Sequence, residues 1–152
     1  PDKGELADAV AHACKDLSDQ MVADAEGATK LVTVRVTGAA SDEQAHRAAR
    51  KVAQSQLVKC SLYGADPYWG RIVSELGSAG VEFQPDRVSV AYGAVTVCSG
   101  GVAAPHDESG LRSHLAGREV HITADLGIGI GDAQILTADL TPGYIDENMR
   151  TS

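Results

Sequence analysis

The segment of this sequence best suited to contact a ligand is a short loop, Asp24-Ala-Glu-Gly-Ala-Thr-Lys30. It lies between a predicted long helix and a predicted strand, where a loop can approach a ligand. It carries a carboxylate, on Glu26, next to a glycine. The structural alternative is that the loop caps the helix, with Gly27 turning the chain. The residues alone leave both interpretations open.

Metal binding is disfavoured by the spacing of the histidines and cysteines. His12 and Cys14 are two residues apart on the predicted helix and therefore point to different faces. His106, His114 and His121 lie on separate predicted elements and lack the spacing of metal ligands. We therefore expect no metal site.

A glycine run, Gly127-Ile-Gly-Ile-Gly131, is the one pattern that could suggest a nucleotide. Its spacing differs from that of a dinucleotide-binding loop, and no helix is predicted to follow it. A phosphate would therefore find no helix N-terminus there. The preferred interpretation is a glycine-rich hairpin, or the close approach of another chain.

The sequence lacks a convincing nucleophile. Cys98-Ser-Gly-Gly101 resembles a reactive turn, but the G-x-S-x-G elbow is missing. Pro1 could act as a catalytic secondary amine, but a helix rather than a strand is predicted to follow it. We therefore expect this chain to be inactive as an enzyme by itself.

Length and composition predict one domain, residues 1–152, or part of one. The 152 residues are 43% hydrophobic and 22% charged, which is typical of a globular protein. A net charge of −8 argues against binding to nucleic acid or to an anionic membrane. The sequence shows neither an apolar run long enough to span a membrane nor a recognisable secretory leader. Its three cysteines are irregularly spaced, which argues against a disulfide framework, so we expect a cytoplasmic protein. Because the sequence begins with Pro, we expect a piece of a larger functional unit.

Hydrophobic periodicity predicts an α+β fold with a largely antiparallel sheet. An apolar stripe at helical spacing runs through 5–25, and a capping box at 41–44 begins a second helix with a thin alanine face. Asp66-Pro67 is typical of the start of a helix, here one that carries Trp69. Further helices are predicted at 107–116 and 142–148, strands at 30–37, 87–92, 94–98, 119–126 and 133–140, and a short strand or extended stretch at 57–62.

Four short motifs follow one another along the chain. They are Glu26-Gly-Ala-Thr-Lys30, Ser55-Gln-Leu-Val-Lys59, Gly64-Ala-Asp-Pro-Tyr-Trp-Gly-Arg-Ile72 and Asp125-Leu-Gly-Ile-Gly-Ile-Gly-Asp-Ala133. In these residues the chain resembles the ornithine acetyltransferase family, also called the glutamate N-acetyltransferases. Each motif alone is weak, but the four together are highly specific. Two departures, Tyr68 for the usual Asn and Ala25 for a frequent Gly, suit a paralogue.

The resemblance implies a fold and an activity. The expected fold is the layered α/β sandwich of the N-terminal-nucleophile-like acetyltransferases, whose precursor cuts itself before an internal Thr. That Thr would take acetyl from N-acetylornithine and pass it to glutamate through an acyl-enzyme, without a cofactor, in arginine or related biosynthesis. This chain would be the C-terminal part of the β chain, so the nucleophile would lie upstream. Its partners would be the α chain and the rest of the β chain in an α2β2 complex.

The resemblance also implies which residues bind substrate. Glu26 would bind the ammonium group of an amino-acid substrate, while Asn148 and a hydroxyl near the C-terminus would hydrogen-bond its carboxylate or amide oxygens. Asn148 follows Tyr144 by four residues, as in the family. Because the tail is one residue shorter than the common ending, Ser152 is favoured for the hydroxyl, with Thr151 as the alternative.

A function from a different class also fits these residues, namely a non-catalytic amino-acid-binding or regulatory α+β module. The upstream Thr separates the two hypotheses. A self-cleaving Ala-Thr junction in the full precursor would favour the enzyme, and its absence would favour the module.

Overall fold

The computed structural model describes residues 2–150, which form six α-helices and one six-stranded sheet. The predicted α+β class with a mostly antiparallel sheet is confirmed. None of the helices in this range is long and apolar enough to cross a membrane. The helices are α1 (Lys3–Ala23), α2 (Asp42–Gln54), α3 (Gln56–Tyr63), α4 (Trp69–Gly77), α5 (Glu108–Ala116) and α6 (Pro142–Met149), and the strands are β1 (Leu31–Ala39), β2 (Ser89–Tyr92), β3 (Val95–Ser99), β4 (Val102–Ala103), β5 (Glu119–Asp125) and β6 (Gly131–Ala138).

The sheet has the strand order β4-β3-β2-β5-β1-β6. Four of the five neighbouring pairs are antiparallel, and the pair β1–β5 is parallel. In the parallel pair, Val34 lies beside Ile122, and both side chains are buried. Parallel neighbours need a long crossover connection, which here contains α2 to α5 and β2 to β4.

The connection between β5 and β6 is not the predicted hairpin, because these strands lie on opposite sides of β1. The glycine run instead crosses the end of β1, where Gly38 accepts backbone hydrogen bonds from residues 128 and 129. A Cβ at Gly131 would lie 2.3 Å from the backbone of Ser41, and one at Gly129 would lie 2.7 Å from the backbone of Ala39. The glycines therefore allow close approach within this chain.

Helix α2 covers the sheet through small side chains. Ser41 caps it by accepting a hydrogen bond from the backbone N–H of Gln44, which is one half of the predicted capping box. The other half is not formed, because the Gln44 side chain instead accepts a hydrogen bond from the backbone N–H of Glu82 at 2.8 Å. The buried face of α2 consists of four alanines and one valine, so the helix can lie close to β1 and β6. Beneath it, every second residue of β1 is buried, namely Val32, Val34 and Val36.

Residues 57–62, predicted as a strand or extended stretch, are helical and belong to α3. Ser55 caps this helix, since its hydroxyl accepts a hydrogen bond from the backbone N–H of Val58 at 3.3 Å. The buried residues Val58, Ser61 and Leu62 recur at steps of three and four. The prediction was wrong because a short apolar run does not distinguish a helix from a strand.

The predicted start of α4 at Asp66-Pro67 is also wrong. Helix α4 begins at Trp69, and its N-cap residue, Tyr68, makes no side-chain capping bond. Pro67 instead lies in a tight turn before the helix, where its carbonyl accepts a hydrogen bond from the backbone N–H of Trp69 at 2.7 Å. The indole of Trp69 is half-buried and packs against the core.

Helix α1 is confirmed, but its apolar stripe is not buried among residues 2–150. Leu17 is 61% exposed and Met21 is 77% exposed, and Leu6 and Val10 are also more than half exposed. We call these four residues the α1 stripe. A row of large apolar side chains at helical spacing is typical of a surface that another element covers.

Two leucines of α3 test the assignment of its buried face. Leu62→Ala is expected to lower the free energy of unfolding by about 2–5 kcal/mol, because the side chain is 1% exposed and a cavity would remain. Leu57→Ala is the matched control, since Leu57 is 62% exposed and should change stability by less than about 0.5 kcal/mol. Urea unfolding measures both, and equal losses would contradict the orientation of α3.

Candidate functional site

The loop between α1 and β1 is pressed against the start of α6. Gly27 has a φ of +66°, and a Cβ there would lie 2.3 Å from the backbone nitrogen of Tyr144. Only glycine tolerates both this left-handed conformation and this close contact. The hydroxyl of Thr141 also donates a hydrogen bond to the Gly27 carbonyl at 2.5 Å. These contacts hold Glu26 beside α6.

Asp139 fixes the other side of the same loop. Its carboxylate accepts hydrogen bonds from the Thr29 N–H at 2.8 Å, the Thr29 hydroxyl at 2.5 Å and the Lys30 N–H at 2.9 Å. Asp139 is only 5% exposed, so these three donors compensate a carboxylate that has lost most of its water. The residue after β6 is thereby tied to the residues before β1.

Two residues predicted to bind substrate, Glu26 and Asn148, are in contact. The Asn148 amide donates to the Glu26 carboxylate at 3.3 Å and to the Tyr144 carbonyl at 2.7 Å. Glu26 is exposed, so its carboxylate remains accessible from solvent. The other two predicted residues, Thr151 and Ser152, lie outside the described residues.

A cavity of about 350 Å³ opens beside Glu26. Loop 24–30, the end of α2, α3, the residues after β6 and α6 all contribute to its walls. Its volume is that of a small-metabolite site, and polar groups occupy several of its walls. The lining residues are Ala25, Glu26, Ala28, Gln54, Gln56, Lys59, Ala138, Asp139, Leu140 and Tyr144.

Sequence reasoning missed Lys59 as a lining residue, although it ends the second of the four motifs. Had residues 57–62 been recognised as helical, Lys59 could have been placed one turn after the Ser55 cap. Its carbonyl accepts a hydrogen bond from the Leu140 N–H at 3.3 Å, which joins α3 to the segment containing Asp139. Lys59 itself is half-buried.

Two buried groups outside the cavity, the Cys98 thiol and the Tyr92 phenol, are poorly suited to covalent chemistry. Burial raises the pKa of the Cys98 thiol, which disfavours the reactive thiolate. Burial, reinforced by the charge of Asp66, likewise raises the pKa of Tyr92, so its phenol stays protonated. Within residues 2–150, no group of three or more His, Cys, Asp or Glu side chains could hold a metal ion.

Asp139 is expected to be essential for the stability of this site. Asp139→Ala should lower the free energy of unfolding by about 2–4 kcal/mol, because it leaves backbone donors of Thr29 and Lys30 unpaired near the core. The control is Asp132→Ala, which removes an exposed ion pair with Arg35 and should cost less than about 1 kcal/mol. Thermal and urea unfolding compare the two, and similar losses would contradict the role of Asp139.

Comparison with known proteins agrees with the four motifs. The chain matches the ArgJ family model over residues 1–151. It is 46% identical over 149 residues to the arginine biosynthesis bifunctional protein ArgJ of Mycobacterium bovis, and 44% identical over 148 residues to that of Zymomonas mobilis. Each alignment covers 97% of this chain and 36% of the relative. The chain thus spans about a third of the length of these curated relatives.

A solved structure agrees with the fold as well. The crystal structure of the arginine biosynthesis bifunctional protein from Bacillus halodurans matches with a TM-score of 0.91 and 36% sequence identity. The match covers 99% of this chain and 71% of that one. With the family model and the curated relatives, this confirms the relationship predicted from the motifs: the chain belongs to the ArgJ family.

Proposed function

We propose that this chain forms part of a glutamate N-acetyltransferase and supplies the part of its active site that binds amino-acid substrates. The whole protein would transfer acetyl from N-acetylornithine to glutamate. The observation that carries the proposal is the contact between Glu26 and Asn148 beside a cavity of metabolite size. Membership of a family whose relatives are named for arginine biosynthesis supports it.

The proposed chemistry requires a nucleophile. We assign this role to a Thr at the N-terminus of an upstream segment, freed by self-cleavage. Its hydroxyl oxygen attacks the acetyl carbonyl, the amide C–N bond breaks, and ornithine leaves with the proton. The α-amine of glutamate then attacks the ester, the C–O bond breaks, and the proton returns to the Thr oxygen. An acyl-enzyme divides one difficult transfer into two easier steps, and neither needs a cofactor.

Glu26 is assigned to the substrate ammonium. N-acetylornithine carries its only ammonium on the side chain, because its α-nitrogen is acylated. The Asn148 amide, bonded to Glu26 and to the Tyr144 carbonyl, orients the carboxylate and adds a polar group at the site. A hydroxyl from Ser152, or from Thr151, would complete this end of the site.

The partners are assigned to the rest of the same precursor, as an α chain and the remaining β segment in an α2β2 complex. The α1 stripe supports this assignment, because it offers a row of exposed apolar side chains for another segment to cover. We also assign the complex to the cytoplasm. The three cysteines are unpaired, which suits a reducing compartment, and the relatives are named for a biosynthetic pathway.

The proposed function is tested by comparing the chain with the complete protein. The self-cleaved full protein should form N-acetylglutamate and ornithine from N-acetylornithine and glutamate. Residues 1–152 alone should form neither product, because the nucleophile is missing. Chromatographic detection of both products decides the matter. Turnover by the isolated chain would contradict the assignment, and a full protein without a self-cleaving Thr would favour a non-catalytic amino-acid-binding or regulatory module.

Glu26→Gln tests the assigned role of the carboxylate. In the full protein, kcat/KM for N-acetylornithine should fall about 10- to 100-fold, because a hydrogen bond between charged groups is replaced by one to a neutral amide. The control is Glu82→Gln, which changes an exposed carboxylate away from the cavity and should leave the kinetics unchanged. Unchanged kinetics in Glu26→Gln with a lower melting temperature would mean that Glu26 is only a structural cap.

A further inference from the structure

We propose that Lys59 makes glutamate the preferred acetyl acceptor by binding its side-chain carboxylate in the cavity that it shares with Glu26. The inference rests on the acetyl transfer proposed above and adds to it the residue that selects the second substrate. Lys59 and Glu26 come from different elements, α3 and the loop before β1, and both line the same cavity.

Three side chains lining this cavity carry a carboxyl or an amino group, namely Glu26, Lys59 and Asp139. The carboxylate of Asp139 is already engaged by three hydrogen bonds from Thr29 and Lys30. The ammonium of Lys30 is buried and donates to the carbonyl of Leu115, away from these walls. One anion and one cation, on Glu26 and Lys59, therefore remain to meet a ligand.

Lys59 lacks a carboxylate partner among residues 2–150, although it is half-buried. By contrast, Lys51 on the preceding helix is paired with Glu75 at 3.6 Å. An ammonium without a counter-ion can gain a charge-assisted hydrogen bond from an incoming carboxylate. The base of Lys59 is also held in place, since its carbonyl accepts the hydrogen bond from Leu140.

The proposed reaction needs both charges in one place. In a ping-pong transfer the donor and the acceptor occupy the same site in turn, each with its α-nitrogen at the nucleophile. Their side chains then extend in the same direction, but ornithine ends in an ammonium and glutamate ends in a carboxylate. Glu26 alone would attract the first and repel the second. A flexible lysine in the same cavity removes this conflict, because it can bind the glutamate side chain and withdraw when ornithine enters.

The neighbouring cavity gives Lys59 room to withdraw. Lys59 also lines a second cavity, of about 380 Å³, between α1 and β6. Ser18, Met21 and Leu136 are among its other lining residues, and no acidic side chain lies in its walls. Lys59 therefore lines two cavities, and only the one with Glu26 has acidic side chains in its walls.

The test separates the two half-reactions of the self-cleaved full protein. Ornithine release in a single turnover without glutamate reports the first half, and N-acetylglutamate formation at varied glutamate reports the second. Lys59→Met should lower kcat/KM for glutamate roughly 10- to 100-fold through KM, while ornithine release stays within about twofold. Lys59→Arg should retain most of the glutamate activity, and Lys51→Met, a lysine outside the cavity, should behave like the unsubstituted protein.

A second measurement begins with the unsubstituted enzyme, where the result does not depend on the folding of a variant. Glutamine has nearly the shape of glutamate without its charge, and it should be a poorer acceptor for the unsubstituted enzyme by a similar factor. Lys59→Met should lose this preference for glutamate over glutamine. Equal use of the two acceptors by the unsubstituted enzyme would overturn the proposal. So would equal losses in both half-reactions, which would mean that Lys59 binds a group common to both substrates. Absence of any acetyl transfer by the unsubstituted enzyme would instead overturn the proposed function, and this inference with it.

Discussion

The carboxylate of Asp139 joins the two parts of the chain that form the candidate site. It accepts hydrogen bonds from Thr29 and Lys30, more than a hundred residues earlier in the sequence. Since β1 and β6 are antiparallel neighbours, this contact extends their pairing beyond the sheet and toward loop 24–30. The close contact of Gly27 with α6 depends on the same alignment, and so does the position of Glu26 beside Asn148. A small displacement at Asp139 would separate Glu26 from Asn148.

The exposed α1 stripe shows a second constraint, which concerns the rest of the protein. A helix whose large apolar residues remain in solvent gains little from tertiary packing, and most helices in proteins depend on such packing. The capping box at Asp2 and Glu5 supports α1 locally, but it does not cover the stripe. We therefore propose that the same further segments of the precursor cover the α1 stripe and complete the active site.

Local sequence patterns correctly predicted the helices and strands whose own residues show a clear hydrophobic periodicity or a capping residue. The alternation of apolar residues was sufficient to place β1, and the alanine face with its Ser41 cap was sufficient to place α2. The loop carrying Glu26 could also be singled out from the sequence as a candidate ligand-binding loop. The partners of each strand could not be obtained in this way, because the β1–β5 pair joins residues about ninety positions apart. Because residues 57–62 were predicted as extended, Lys59 could not be placed at the site. The physical reason is that a short apolar run is compatible with the periodicity of a helix and with that of a strand. The family resemblance implied that Glu26 and Asn148 both bind substrate, but the contact between them was not predicted.

The central claim is that this chain binds the amino-acid substrates while an upstream Thr carries the acetyl group. The most direct test is intact-mass and peptide mass spectrometry of the self-cleaved full protein after brief exposure to N-acetylornithine without glutamate. One acetyl group should be found on the N-terminal Thr of the upstream segment, and residues 1–152 should remain unmodified. Acetyl bound to a side chain of residues 1–152, with the upstream segment unmodified, would contradict this account.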